Sequence, residues 1–114
     1  MTGQEGSPEA FRDLFFQYYP AFFSFARSLV EDKVSAQNLT TEALSVLWLK
    51  RNDLSGDVNS RAFLYNTIRG NALSYLKYLQ RMPDAGPYRP ERSLDPSFPS
   101  SVLQEIQDYV ARER

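Results

Sequence analysis

The residues best suited to do chemistry in this sequence are the basic side chains of its central part. Residues 48–81 carry six basic and two acidic side chains, whereas residues 1–47 and 82–114 have net charges of −3 and −2. The six basic residues are Lys50, Arg51, Arg61, Arg69, Lys77 and Arg81. A local excess of cations attracts phosphate even when the whole chain, here at −1, is slightly acidic. The central segment is therefore predicted to bind phosphate groups, such as those of a nucleic acid.

Enzymatic and metal-dependent chemistry has little support in the composition. The chain contains no His and no Cys. It therefore lacks the commonest general base, the commonest metal ligand, and any disulfide or Cys-ligated zinc. Glu42 and Asp53 do not form a convincing pair of catalytic carboxylates. We expect no enzyme activity, no catalytic residue, no metal and no cofactor.

Membrane insertion and export are not expected either. No apolar run approaches the ~20 residues that a helix needs to cross a bilayer. Residues 1–7 lack the basic and apolar parts of a signal peptide, and we interpret them as a flexible N-terminal tail. The expected location is the cytoplasm.

Helices are the elements that must position the basic residues. Ser7-Pro8-Glu9 is typical of a helix start, with a capping residue, a proline at the first position and an acid in the first turn. Apolar residues follow at helical spacing: Phe11, Leu14, Phe15 and Tyr18. Pro20 is expected to interrupt or kink this helix, because it lacks the backbone donor. A second helical stretch then continues to Val30.

Two further helices are predicted on either side of a polar loop at residues 52–59. The earlier helix covers about residues 35–52, and its apolar stripe consists of Leu39, Ala43, Leu44, Val46, Leu47 and Trp48. The later helix is capped by Asn59 or Ser60 and ends near residue 81. Its apolar face consists of Tyr65, Ile68, Ala72, Tyr75, Leu76 and Leu79. The opposite face carries Asn66, Arg69, Gly70, Lys77 and Arg81, so this helix is amphipathic with a basic polar side.

The remainder of the chain is predicted to be a linker followed by a short helix. Five of the seven prolines lie in residues 83–99, a composition typical of an extended linker. Ser101 and Gln104 form a capping-box pattern that opens a last helix within residues 100–114. The overall expectation is an all-α fold, with a compact domain of three to four helices at residues 8–82.

Four segments of the chain resemble extracytoplasmic-function sigma factors of bacteria, in their region two. Residues 36–48, AQNLTTEALSVLW, resemble the family pattern A-E-D-I-V-Q-E-V-F-x-x-L-W. Residues 61–69 and 72–77 resemble the signatures K-A-Y/F-L-Y, V-R and A-L-D/N-Y-L-R/K. The aromatic pattern upstream, which includes Tyr18-Tyr19-Pro20, resembles the family's opening segment. This chain departs from the pattern at Asn38, Thr41, Gly70 and Ser74, where the family usually has Asp, Gln, Asn, and an acid or amide.

The resemblance implies a transcription initiation factor that binds core RNA polymerase and recognises and melts the promoter minus-ten element. The implied polymerase-binding residues, which would dock on the clamp helices of the largest subunit, are Asn38, Thr41, Glu42 and Ser45. The implied contacts to the non-template strand of promoter DNA are Asn52, Asn59, Arg61, Phe63, Asn66, Arg69, Lys77 and Arg81. Glu42 is the strongest candidate for a charge-assisted contact, because the partner surface is rich in Arg. Residues 100–114 would begin a region-four domain.

Two alternatives remain open at this stage. The chain could be a sigma-like interaction module that binds polymerase or an anti-sigma factor without productive DNA recognition. It could also be an unrelated helical bundle. Most aromatic residues, Trp48 among them, are expected in the core, and Phe63 is the best candidate for stacking on a base.

Overall fold

Three helices form the fold in the computed structural model, which describes residues 8–54 and 56–90 together with positions 104, 108 and 112. They are α1 (Pro8–Leu29), α2 (Lys33–Leu49) and α3 (Asp57–Arg81). Each helix packs against the other two, and the described residues contain no strand. The predicted all-α class is confirmed. None of the helices in residues 8–54 and 56–90 has the length and apolar character to span a membrane.

Helix α1 is continuous through Pro20, so of the predicted interruption or kink, the interruption is wrong. Proline lacks the N–H that would bond the carbonyl one turn earlier, but aromatic packing holds both sides of it together. The ring of Tyr19 stacks on Phe15 at 5.1 Å and on Phe23 at 5.6 Å between centroids, so one row of rings runs past the proline. Pro20 itself is exposed, which leaves its ring free of steric conflict with the core.

Helix α2 begins at a side-chain cap that the predicted start near residue 35 misses. Asp32 has extended backbone geometry, and its carboxylate accepts hydrogen bonds from the Ser35 backbone N–H at 2.8 Å and from Ser35 Oγ at 2.7 Å. The Ser35 hydroxyl bond is the main reason that the pKa of Asp32 is lowered. An anion at this position also interacts favourably with the helix dipole.

Replacement of Asp32 by alanine should destabilise the protein by roughly 0.5–2 kcal/mol at neutral pH, the usual cost of losing an N-cap. Because the folded-state pKa of Asp32 is lowered, its contribution is present above the unfolded pKa of about 3.9 and is lost as the pH falls through the folded pKa. Urea denaturation followed by circular dichroism should therefore show a difference between wild type and D32A at pH 7 that shrinks as the pH falls below the unfolded pKa of about 3.9 and through the lower folded pKa. D32N, which keeps a capping oxygen, is the matched control and should lose less. An equal D32A effect at pH 7 and below the folded pKa would contradict a role for the carboxylate charge.

Helix α3 begins two to three residues before the predicted cap at Asn59 or Ser60. Gly56 precedes it with a φ of 88°, a left-handed conformation that favours glycine, and makes no side-chain cap. Asp57 supplies the acid of the first turn. Because α2 also ends at Leu49, before its predicted end near residue 52, the loop between the two helices spans residues 50–56, and Asn59 lies in the first turn of α3.

The core lies where the three helices meet and is rich in aromatic rings. Its buried apolar residues are Phe11, Phe15, Tyr18, Tyr19, Phe22, Ala26, Val30, Ala36, Leu39, Ala43, Leu44, Leu47, Trp48, Leu64, Ile68 and Ala72. Tyr65, predicted on the apolar face of α3, is instead 53% exposed at the edge of the core, where its ring contacts Phe25 at 4.2 Å. The predicted stripe of α3 is otherwise buried or half-buried.

The segment after α3 is described only in part. Residues 83–90 contain no helix or strand. The rest of the predicted linker, most of the predicted C-terminal helix and the predicted N-terminal tail lie outside the described residues. Gln104, Asp108 and Arg112 are helical, and the Gln104 side-chain amide donates to Asp108 Oδ1 at 3.0 Å.

Candidate functional site

The four polar residues predicted on α2 share one partly exposed face of that helix. The Thr41 hydroxyl donates to the Asn38 carbonyl at 3.3 Å, and the Ser45 hydroxyl donates to the Thr41 carbonyl at 2.9 Å. These two hydroxyls are therefore occupied by their own helix, as is common for Ser and Thr within helices. Asn38 and Glu42 supply the longer polar groups of this face.

Asn38 and Glu42 are both contacted by Tyr88, from the segment that follows α3. The Asn38 side-chain amide donates to the Tyr88 carbonyl at 2.8 Å, and the Tyr88 hydroxyl donates to Glu42 Oε1. A helix face that the sequence predicts to bind a partner is thus covered, in part, by the protein's own chain.

The polar side of α3 is an exposed surface that faces away from the core. It carries Asn66, Arg69, Lys77 and Arg81, all exposed. Within residues 8–54 and 56–90, none of the three basic residues forms an ion pair with an acidic side chain. Their charges are therefore available to an anionic ligand. We call this surface, made of these four residues, the basic face.

Arg61 is placed apart from the basic face. Its guanidinium forms an ion pair with Asp57 at 2.9 Å and lies 5.2 Å from the ring centroid of Tyr18 on α1. Asp57 also accepts a hydrogen bond from the Tyr18 hydroxyl. Burial, and then the bond to Asp57, raise the pKa of Tyr18, while the bonds from Tyr18 and Arg61 lower the pKa of Asp57. This cluster ties the first turn of α3 to α1, a contact that the sequence patterns do not reveal.

The loop before α3 presents polar groups next to this cluster. Asn52 and Asp53 are exposed within it, whereas Asn59 is exposed on the first turn of α3. Phe63, the predicted base-stacking residue, is half-buried and packs against the core. The structure therefore places Asn52 and Asn59 on the surface and leaves Phe63 only partly accessible.

Trp48 lies at the end of α2 close to this loop and is a core residue, 6% exposed. Its ring meets Phe11 edge-on at 5.2 Å. The guanidinium of Arg51 lies 4.0 Å from the Trp48 ring centroid and donates to the Trp48 carbonyl at 2.7 Å. Arg51 therefore caps the end of α2 and covers Trp48 through a cation–π contact. This role is not predicted by the position of Arg51 among the basic residues of the central segment.

The part of the chain that the structure describes contains no cluster of metal-ligating side chains. The acidic residues there do not gather into a group that could hold an ion. What the described residues do assemble are two polar surfaces on adjacent helices, one on α2 and one on α3.

Sequence reasoning missed the residues that join the segment after α3 to α2. Ser35, Tyr75 and Tyr88 carry these contacts. The one available signal was an aromatic residue within a Pro-rich stretch, since Tyr88 stands between Pro87 and Arg89-Pro90.

Comparison with known protein families gives a match to this chain. The family model for Sigma-70 region 2 matches residues 14–82, which include most of α1, all of α2 and all of α3. No curated protein and no solved structure gives a significant match. At the level of the family, this domain has a role in RNA polymerase binding and promoter melting. Since the match covers more than half of the chain, including both polar surfaces, the protein belongs to the Sigma-70 region 2 family.

Proposed function

We propose that this protein is a transcription initiation factor of the extracytoplasmic-function type, acting in the bacterial cytoplasm. It binds the clamp helices of core RNA polymerase through Asn38, Thr41, Glu42 and Ser45 on α2. It recognises and melts the promoter minus-ten element through the loop between α2 and α3 and through α3. The observation that carries the proposal is the exposed basic face of α3, which lies within the segment that matches the family.

The polymerase contact rests on the chemistry of the α2 face. Thr41 and Ser45 bond to their own helix, so Asn38 and Glu42 are the groups that can exchange partners. Glu42 is half-buried, and a carboxylate in such a setting forms strong, charge-assisted hydrogen bonds with arginine. An Arg-rich clamp surface is a suitable partner.

The DNA contact rests on the basic face and on the adjacent loop. Arg69, Lys77 and Arg81 are spaced along α3 so that they can follow the phosphates of a single strand. The exposed Asn52 offers both donors and acceptors to the edge of an unstacked base. Flipping a base out of the duplex costs a few kcal/mol, which contacts of this kind must offset.

Arg61 and Asn59 complete the proposed DNA contacts. The Arg61–Asp57 pair is about half exposed on both sides. Because exposed pairs of this kind contribute little stability, a phosphate can replace Asp57 as the partner of Arg61. Phe63 stays a stacking candidate only through the part of its ring that the core leaves exposed.

One alternative has a specific observation in its favour. Gly70 lies on the exposed side of α3, where the resembling family usually carries Asn, and a Cβ there would meet no atom within 4 Å. Packing would therefore allow a larger residue at position 70. The glycine instead removes the side chain that could contact a base. This favours a sigma-like module that binds polymerase or an anti-sigma factor without productive DNA recognition.

Removal of Arg69 and Lys77 together, as R69A/K77A, should reduce promoter opening by holoenzyme and flatten its salt dependence. Each phosphate contact on a single strand contributes about −0.7 to the slope of log K against log salt, so two contacts account for about 1.4. The measurement is open-complex formation on a fluorescent promoter at several salt concentrations, with core polymerase present.

Two variants provide the controls for this experiment. R12A/R27A removes the same charge from α1 and should leave the slope unchanged. N52A should relax base preference in the minus-ten element with little effect on the slope. The reason is that contacts to bases determine sequence preference, whereas contacts to phosphates fix the position of the protein on the DNA. Normal opening by R69A/K77A would reject the basic face and would favour the interaction-module alternative.

A further inference from the structure

The segment at residues 83–90, which we call the strap, turns back after α3 and runs across α2. The turn is closed by a backbone hydrogen bond from Ala85 N to the Met82 carbonyl at 3.0 Å. The strap has no helix or strand of its own. Its position therefore depends on the side chains that bind it.

Three hydrogen bonds join Tyr88 to one face of α2. Its backbone N–H donates to Ser35 Oγ at 2.8 Å, and its carbonyl accepts from the Asn38 side-chain amide at 2.8 Å. Its hydroxyl donates to Glu42. Tyr88 therefore uses both its backbone and its side chain to bind residues at positions 35, 38 and 42, which lie one above the other along α2.

Tyr75 on α3 supports this arrangement from the second side. Its hydroxyl donates to the Gly86 carbonyl at 3.1 Å, and its ring meets the Tyr88 ring edge-on at 5.7 Å. Ser35 is fully buried and also binds the capping Asp32. Tyr88 is therefore seated in a specific polar and aromatic site and packs against the core.

The described contacts of the strap centre on Tyr88, and the rest of the strap borders an open groove. A groove of about 640 Å³ opens between it and α3, lined by Asn71, Ser74 and Tyr78 on one side and by residues 85–89 on the other. Most of the strap's own residues are exposed. Displacing it requires that the hydrogen bonds of Tyr88 and the bond between Tyr75 and Gly86 be broken.

We propose that the strap is an autoinhibitory element that covers Asn38 and Glu42 until core RNA polymerase displaces it. The inference rests on the proposed polymerase-binding role of the α2 face. The Tyr88 hydroxyl and a polymerase arginine compete for the Glu42 carboxylate, and the Tyr88 carbonyl occupies the Asn38 amide. When a binding surface is open in only a fraction of the molecules, its apparent affinity equals the intrinsic affinity multiplied by that fraction. Free protein is therefore held in a weakly binding state.

The test compares Y88A, Y88F and Y78A with wild type in equilibrium titrations of the full chain against bacterial core RNA polymerase. Y88A should bind at least threefold more tightly than wild type. Y88F loses only the hydroxyl and should show a smaller gain. Y78A removes an exposed tyrosine from the other wall of the groove and should leave the affinity unchanged. In hydrogen exchange, the Tyr88 amide should be protected in the free chain and lose protection in the complex.

The possible outcomes distinguish a failure of the strap proposal from a failure of the proposed polymerase contact on α2. If Y88A binds no more tightly while E42R still weakens binding, the strap proposal is overturned and the α2 face stands. If the wild type and all variants fail to bind, both proposals are overturned. Equal tightening by Y78A, or a Tyr88 amide that stays protected in the complex, also overturns the strap proposal. Circular dichroism tests whether Y88A is folded. If Y88A is not folded, the affinity of Y88F for core polymerase is compared with that of wild type instead, and an unchanged affinity overturns the strap proposal.

Discussion

Replacement of Glu42 by arginine is expected to weaken binding to core RNA polymerase by more than tenfold. Glu42 is the one acidic side chain on the α2 face, and it is half-buried. A tenfold change corresponds to about 1.4 kcal/mol. Loss of a charge-assisted hydrogen bond, worth roughly 1.5–3 kcal/mol, together with repulsion between two cations, exceeds that value. An equilibrium titration with labelled protein measures the effect directly.

Two variants separate the contact of Glu42 from general electrostatics. D13R makes the same change of charge on α1, at a side chain that is 75% exposed, and should alter core affinity by less than twofold at about 0.15 M salt. E42Q keeps a hydrogen-bond acceptor for Tyr88 but removes the charge, so its loss should fall between wild type and E42R. Unchanged affinity of E42R would place the polymerase contact elsewhere on the protein.

Truncation of Trp48 to alanine should cost on the order of 3–5 kcal/mol of folding stability. The Trp48 ring is buried at the end of α2 and packs edge-on against Phe11. Its removal leaves a cavity and also removes the surface on which the Arg51 guanidinium lies. Domains of this size are stable by about 5–15 kcal/mol, so the loss is a large part of the total. Urea and thermal denaturation followed by circular dichroism measure it without relying on the lost fluorophore.

Leu49 provides the matched control for Trp48. It is the next residue on α2 and is 53% exposed, so L49A should change stability by less than about 0.5 kcal/mol. W48F, which keeps an aromatic ring in the site, should lose less than W48A. A W48A variant with an unchanged midpoint would show that Trp48 is accessible in solution, and it would then become a candidate for stacking on a base.

Helices α3 and α1 show where local sequence patterns predict the structure of this protein and where they fail. The alternation of apolar and basic residues along α3 predicted which side faces the core, because a helix repeats every 3.6 residues and only one side can be buried. Local reasoning about proline predicted that Pro20 would interrupt or kink the first helix, and the interruption does not occur. Rings from one helix stack across the proline and bury against the other two, and this tertiary packing outweighs the loss of one backbone hydrogen bond.

The amino-acid sequence by itself determined the all-α class, the approximate positions of three helices and the exposed polar residues of α2 and α3. These properties follow from periodicity, capping and charge, which act over a few residues. Tertiary structure alone decided that Tyr18 of α1 donates to Asp57 of α3 and that Tyr88 covers Asn38 and Glu42. Whereas the Asp57–Arg61 pair is local, four residues apart on α3, these contacts join residues 39 to 50 positions apart. No local rule specifies such partners, because they depend on how the helices cross and where the chain returns.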